Sequence, residues 1–286
     1  MKYTWIQEHS QEFPVAAMCQ VLTVSRSGYY AWHKRPASTS QVRREALMVR
    51  IRQMHAQTRG VYGSPRIHRE LVATEIQVCQ NTVAKLMTQA GLRAKTSRKF
   101  AVCTTGSNHH HPVAENLLDQ NFACELLNQI WCCDITYIPT DEGWLYLAAV
   151  LDLCSRKIVG WAVTEHLRAE LCEQALAMVP GRRQPQAGLL RHSDRGVQHA
   201  CGTYQALPAE NDMTCSMSRR GNCYDNAAME SFFGSLKTEL VHHEHDATRD
   251  AARRSIFEYI EVFYNRKRRH GALGYLSTEA FEASLN

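Results

Sequence analysis

Two periods of apolar and polar residues divide this chain, and the change falls near its middle. From Pro14 to Lys34 apolar side chains recur at helical spacing (Val15, Met18, Val21, Leu22), followed by Thr23-Val-Ser25 and Arg26-Ser-Gly-Tyr-Tyr-Ala-Trp-His-Lys34. This predicts two short helices joined by a tight turn, with Ser25 capping the second. Two readings stay open for the pair. It can be a helix-turn-helix with Arg26 and Ser27 at the exposed start of the second helix, or a helical hairpin whose Tyr29, Tyr30 and Trp32 are core. Gln41 to Gln57 predicts a longer basic helix, with Leu47, Ile51 and Met54 on one face and Arg43, Arg44, Arg50 and Arg52 around the others. A second helix-turn-helix pattern follows, from Ser64-Pro-Arg-Ile-His-Arg-Glu-Leu71 through Glu75-Ile-Gln-Val78 to Asn81-Thr-Val-Ala-Lys-Leu-Met87, with Ser64 as cap and Pro65 at the first helical position. Leu92 to Asn116 is polar, basic and without period, which marks a boundary.

After Asn128 the period becomes two. Trp131-Cys-Cys-Asp-Ile-Thr-Tyr-Ile138 alternates, so Asp134 shares a face with Cys132, Thr136 and Ile138. Pro139 to Gly143 is a turn into Trp144–Asp152, and Ser155-Arg156 leads to Lys157–Val163, so these three strands form an antiparallel meander. A helix (Ala169 to Met178), a strand ending at His192-Ser-Asp194, a helix near Tyr204 to Asn211 and a strand around Met213 to Met217 complete an α/β order. Gly221 to Lys237 then begins with turn chemistry and becomes an amphipathic helix carrying Glu230, with Asp225 or Asn226 as its cap. A last amphipathic helix runs from about Asp250 to Tyr264, with Ala252, Ile256, Tyr259, Ile260 and Phe263 in one stripe. The expected organisation is an N-terminal helical DNA-binding region (1–60), a second helix-turn-helix-like module (61–100), a linker (101–124), an α/β catalytic core (125–245) and a C-terminal helix with a basic tail (246–286).

Charge sharpens this division. Residues 1–100 hold 16 Lys and Arg against 5 Asp and Glu, a balance of +11, while the whole chain carries +5, which leaves −6 for residues 101–286. The basic part suits a polyanion and the acidic part suits cations. DNA contact is expected from the repeated Arg-rich helical units, chiefly through phosphates, with Arg26, Arg66, Lys85, Arg266, Arg268 and Arg269 as candidates. Composition narrows the class further. No run of about 18 apolar residues spans a bilayer and no signal peptide opens the chain, so a cytoplasmic protein is expected. Eleven cysteines, an odd number with no Cys-x-x-Cys pair, read as reduced thiols. The His109–His111 run, with Cys103 and Cys124 nearby, fits no common zinc spacing and reads as solvated linker.

Three carboxylates remain for chemistry: Asp134 on a strand, Asp194 at a strand end and Glu230 on a helix. Oxygen ligands of this kind suit Mg²⁺ or Mn²⁺, and two such ions beside a phosphodiester could polarise it and stabilise the departing oxygen. Taken singly, each also has an ordinary structural reading as a strand-face acid, an Asx turn and a surface Glu.

The motifs Trp-Cys-Cys-Asp134-Ile-Thr-Tyr-Ile, His-Ser-Asp194-Arg-Gly and Asn-Cys-Tyr-Asp-Asn-Ala-Ala-Met-Glu230-Ser-Phe-Phe, with 35 residues between the second and third acids, resemble the acidic triad of DDE transposases and retroviral-type integrases. The chain looks most like the second-frame (OrfB) product of bacterial insertion sequences of the IS-three family. Tyr62-Gly-Ser-Pro-Arg-Ile-His68 and Tyr264-Asn-Arg-Lys-Arg-Arg-His-Gly-Ala-Leu-Gly-Tyr275 extend the resemblance over nearly the whole length. It implies an RNase H-like core with a mixed five-stranded sheet and Asp134, Asp194 and Glu230 as catalytic metal ligands. It also implies Mg²⁺ as cofactor, with two ions and Mn²⁺ as substitute, and a DNA contact at Lys237. Terminal inverted repeats and target DNA are the implied partners, together with a homo-oligomer of at least two chains and an upstream-frame (OrfA) product. Cys132-Cys133 departs from the family pattern, which has less reactive residues there. Asp152, His192 and Arg195 are weaker candidates near the acids. The rival readings are a DNA-binding regulator with an inactive core and a nonspecific nuclease.

Overall fold

The computed structural model describes residues 1–96, 113–179, 183, 185, 187–200 and 213–285. Arg98, Lys99, Cys103, the His109–His111 run and the helix expected near Tyr204–Asn211 lie outside them. Two compact units divide the chain, Met1–Met54 and His55–Asn286.

In the first unit, helices α1 (Lys2–Glu8), α2 (Val15–Val21) and α3 (Arg26–His33) enclose a small core of Ile6, Met18, Cys19 and Tyr29, with Trp32 packed against it. Ser25 caps α3 by accepting the Gly28 N–H at 3.2 Å, Tyr30 is exposed, and Arg26 stands exposed in the first turn. Helix α4 (Thr39–Gln57) crosses the boundary between the units.

The second unit begins with α5 (Ser64–Ala73) and α6 (Gln80–Gln89), whose Ile67, Leu71, Val83, Leu86 and Met87 are buried. Gly63, not Ser64, occupies the cap position of α5, and Pro65 sits in its first turn, where the missing N–H costs no bond. A five-stranded mixed sheet follows, of order β3-β2-β1-β4-β5, built from β1 (Ile130–Thr140), β2 (Gly143–Asp152), β3 (Ile158–Thr164), β4 (Leu190–Ser193) and β5 (Thr214–Met217). The first three strands form the expected antiparallel meander, while β4 pairs with β1 in parallel and β5 with β4 in parallel. Helix α7 (Ala169–Ala177) packs on β2 and β3, and its Leu171, Cys172 and Ala175 share one core with Ala148 and Val150 of β2 and Trp131 and Cys133 of β1. Gly160 permits this contact, since a Cβ there would lie 2.3 Å from the Ala175 carbonyl oxygen.

A short helix α8 (Val197–Ala200) follows β4. Helix α9 (Ala227–Leu236) buries Ala228, Met229, Phe232, Phe233 and Leu236 on one side and packs on β1. Its path continues over Lys237–Val241 as a wider π-type turn. The last amphipathic helix, α10 (Arg249–Phe257), widens likewise over Glu258–Tyr264, and Phe232 meets Tyr264 edge-on at 4.9 Å between ring centres. Helix α11 (Thr278–Leu285) is the last described element.

The cap expected for α9 is not made by either predicted side chain. Asp225 is fully buried and accepts bonds from Arg219, Gln120 and Asn116, so its carboxylate is spent on neighbouring loops. Asn226 holds the cap position but turns its side-chain amide to the Cys133 carbonyl at 3.4 Å. Asn222 instead caps the 3₁₀ turn Cys223–Asn226 that leads in.

Candidate active site

Sheet register brings the first two acids together. Parallel pairing of β1 with β4 matches Cys132 to His192 and Cys133 to Ser193, so the next residues, Asp134 and Asp194, lie side by side where β4 ends. No local signal in the sequence specifies this adjacency, because 59 residues separate the two. Helix α9 reaches the same strand through the Asn226 contact with Cys133, which sets Glu230 one turn further on.

Electrostatics report the same convergence. Burial pushes the Asp134 carboxyl well above the usual carboxylate range, and the charges of Asp194 and then Glu230 push it the same way, while His199 and the Ile135 N–H, bonded to Asp134 Oδ1 at 2.7 Å, pull it down. Partial burial also raises the Glu230 carboxyl. Convergence stops short of a closed ligand cage. Among the described residues no group of three or more His, Cys, Asp or Glu side chains is gathered closely enough to hold a metal ion. Asp134 and Asp194 form the adjacent pair, and Glu230 stands on an exposed helix position beside them.

Asp194 is held from its own turn. Its Oδ1 accepts the Gly196 N–H at 3.0 Å and the His199 ring nitrogen Nδ1 at 2.6 Å. A Cβ at Gly196 would come within 3.1 Å of that oxygen, so the turn closes tightly around the carboxylate. His199 is 2% exposed. Burial works against a charge on it, but the neighbouring Cys172 and Asp194 side chains outweigh burial and hold its pKa well above the usual imidazole value. The sequence reading missed His199. Its only local signal is a histidine five residues after Asp194 across a glycine turn.

The weaker candidates separate cleanly. Asp152 is buried and caps a turn, accepting the Ser155 N–H at 2.9 Å and the Asn128 N–H at 2.7 Å. His192 lies between Ser216 at 2.9 Å and Ser218 at 3.1 Å, and burial lowers its pKa to about 4, so it is a neutral strut between β4 and β5. Arg195 donates to the Ser218 carbonyl at 2.6 Å. Cys132 is fully buried and desolvation pushes its thiol far up, which leaves it a packed, unreactive group.

The basic candidates fall into two groups. Lys85, Arg26 and Arg266 are exposed, and Lys237 lies at the end of α9 with its Nζ 5.5 Å from the Tyr137 ring centre, three residues along β1 from Asp134. Arg268 is 6% exposed and gives its guanidinium to Glu239 at 2.6 to 3.0 Å. Arg269 pairs with Glu70 at 2.7 Å, and Arg66 lies over the Tyr62 ring, 4.0 Å from Glu239. The run Arg266–His270 is thus not one phosphate patch: its middle is turned inward by carboxylates that the sequence places 29 to 199 residues away.

Residues 126–223 match an integrase core domain family, residues 230–284 match a further integrase core domain family, and residues 42–100 match an HTH-like domain. The transposase InsF for insertion sequence IS3A of Escherichia coli (strain K12) is 45% identical over 284 residues, 99% of this chain and 98% of that protein. The insertion element IS600 uncharacterized 31 kDa protein of Shigella sonnei is 47% identical over 264 residues, 92% of this chain and 97% of that protein. Among solved structures, the HTLV-2 integrase catalytic core domain in complex with magnesium (trimeric form) aligns with a TM-score of 0.43 at 13% identity, covering 55% of this chain and 97% of that one.

Proposed function

The chain belongs to the insertion-sequence transposases that carry an integrase core, and from that membership we propose how its residues perform the reaction. It is a DNA transposase, a polynucleotidyl transferase with an RNase H-like core and a DNA-binding HTH-like region; the reading as a regulator with an inactive core falls away. Its substrate is double-stranded DNA at the terminal inverted repeats of its own element. A phosphodiester there is hydrolysed, and the freed 3′-OH attacks a phosphodiester of target DNA.

One observation carries the assignment of residues: the parallel register that sets Asp134 beside Asp194, with Glu230 close enough to weigh on the Asp134 carboxyl. The donor set suits Mg²⁺, since Asp134, Asp194 and Glu230 all offer hard carboxylate oxygens and the neighbouring His199 ring nitrogen Nδ1 is engaged with Asp194 at 2.6 Å. Asp134 and Asp194 would hold the cations, with Glu230 completing the set. Bound there, a pair of divalent ions supplies Lewis-acid polarisation of the scissile phosphate, and Mn²⁺ can substitute. The rest is the work of the chain. Gly196 and His199 fix the Asp194 carboxylate, the Ile135 N–H fixes Asp134, and the buried start of α9 anchors Glu230 through Asn226. Lys237, seven residues past Glu230, meets a phosphate near the reacting end. Joining two DNA ends calls for at least a dimer, and an upstream-frame product acts as partner or fusion. The reaction takes place on DNA in the bacterial cytoplasm, at the nucleoid.

Asp134→Asn, Asp194→Asn and Glu230→Gln proteins, assayed with Mg²⁺ on a terminal-repeat duplex, should lose both cutting and joining while still shifting the duplex in a gel. An Asp194→Asn or Glu230→Gln protein as active as the parent sinks the assignment, and cutting without joined product points to a nuclease.

A further inference from the structure

The inward-turned part of the C-terminal tail touches two structures at once. On one side Arg268 holds Glu239, at the end of the helix that carries Glu230, and reaches Ser235 on α9 at 3.2 Å, about 7.5 Å along the axis from Glu230. On the other side Arg269 holds both oxygens of Glu70 on α5, at 2.7 and 3.1 Å. Tyr62, fully buried, stitches the same junction: its hydroxyl accepts the Arg269 N–H at 2.7 Å and donates to the Lys267 carbonyl at 3.1 Å. Lys95 closes it, donating from Nζ to the Glu239 carbonyl at 2.8 Å and from its backbone to the Gly60 carbonyl at 2.9 Å. Arg59 pairs with Glu258 on the same side.

Helix α5 is thereby committed to the tail, and α6 is left facing outward. It exposes Gln80, Asn81, Lys85, Thr88 and Gln89 and contains no carboxylate. Amide, hydroxyl and ammonium groups without acid are the chemistry that reads base edges in a major groove.

We infer that Lys267–His270 is an internal clamp that holds the α5–α6 pair at a fixed distance from the Glu230 helix, so that the tail sets how far from the recognised sequence the DNA is cut. Arg268 and Arg269 act in this way as positioning residues. The inference rests on the proposed function above, because it takes α6 as the reader of the terminal repeat and Glu230 as part of the cutting centre. A helix pair tethered by one flexible linker would read its sequence equally well but leave the cut site undefined. Two ion pairs and a tyrosine hydroxyl on a single short segment, with Lys95 joining Glu239 to Gly60 beside it, remove that freedom.

The test uses the full chain in four forms: parent, Glu70→Arg, Arg269→Glu and the combined exchange, with Tyr62→Phe as a milder fifth. Cut positions on a terminal-repeat duplex are mapped at nucleotide resolution beside duplex affinity. The single exchanges and Tyr62→Phe should spread the cuts over neighbouring positions and reduce cutting at the parental position about 10- to 100-fold, with affinity little changed. The combined exchange should restore the parental cut. Hydrogen exchange reads the clamp without any chemistry: amides of 64–73 and 264–270 should exchange faster in the single exchanges and recover in the combined one. Single exchanges that cut at the parental nucleotide at the parental rate overturn the inference. So does an Arg269→Glu protein that loses duplex binding without recovery in the combined exchange, since Arg269 is then a DNA contact. A parent chain that cuts no DNA even when supplied with the upstream-frame product defeats the proposed function instead, and the exchange measurement still decides the clamp.

Discussion

His199 Nδ1 lies 2.6 Å from Asp194 Oδ1, so an acid proposed to hold metal is oriented by a buried histidine of its own turn. Such outer partners of metal ligands typically carry 10- to 100-fold effects on affinity or activity. His199→Ala should therefore weaken cutting by about that factor and shift the Mg²⁺ concentration needed for half-maximal rate upward. Calorimetric titration of Mn²⁺ into the same protein checks the binding arm directly. An unchanged metal requirement would leave His199 as core packing.

Gly160→Ala should destabilise the second unit by roughly 1–3 kcal/mol, because the new methyl meets backbone, the Ala175 carbonyl oxygen, and the Val179 side chain at 2.6 Å. Urea unfolding followed by tryptophan fluorescence measures it, with Trp131 inside the affected core.

Glu239→Ala should cost about 3–5 kcal/mol. It leaves the Arg268 guanidinium buried and without its carboxylate, and it also strips the Tyr259 hydroxyl of its acceptor at 2.8 Å. Thermal unfolding of Glu239→Ala and Arg268→Ala, compared with their combination, separates the pair's coupling from packing.

Arg266→Ala and Lys85→Ala stand in contrast, since both side chains are exposed. Each should leave the unfolding midpoint near the parent's and lower the slope of log affinity against log salt by about one. Filter binding over a range of salt concentrations reads that slope, and an unaltered slope places the side chain off the DNA.

Acid should destabilise the sheet through His192. Its folded pKa of about 4 lies below the unfolded imidazole value, so the unfolded chain binds the extra proton between those limits. The stability it contributes is complete above about pH 6.5 and is lost as pH falls towards 4. The loss amounts to roughly 3 kcal/mol. Unfolding curves at stepped pH should show that slope in the parent and a flatter one in His192→Gln.

Local patterns carried much of this protein. Alternation over Trp131–Ile138 and the turns at Pro139–Gly143 and Ser155-Arg156 predict a meander that the sheet realises, and Ser25 caps α3 as its position before Arg26 requires. The motifs around Asp134, Asp194 and Glu230 single these acids out through their resemblance to the DDE triad, whereas periodicity alone places each on a strand, a turn or a helix. Contacts between distant residues were decided elsewhere. The adjacency of Asp134 and Asp194 comes from the order in which strands join the sheet, which no nearby residue encodes. His199 gained its role because the turn after β4 folds back on Asp194. The arginine tail divided because Glu70 and Glu239, remote in sequence, arrive beside Arg269 and Arg268. A guanidinium binds a phosphate or a carboxylate with the same fork of N–H donors. A run of arginines therefore announces only that anions will be met, and the tertiary structure decides which of those anions belong to the protein itself.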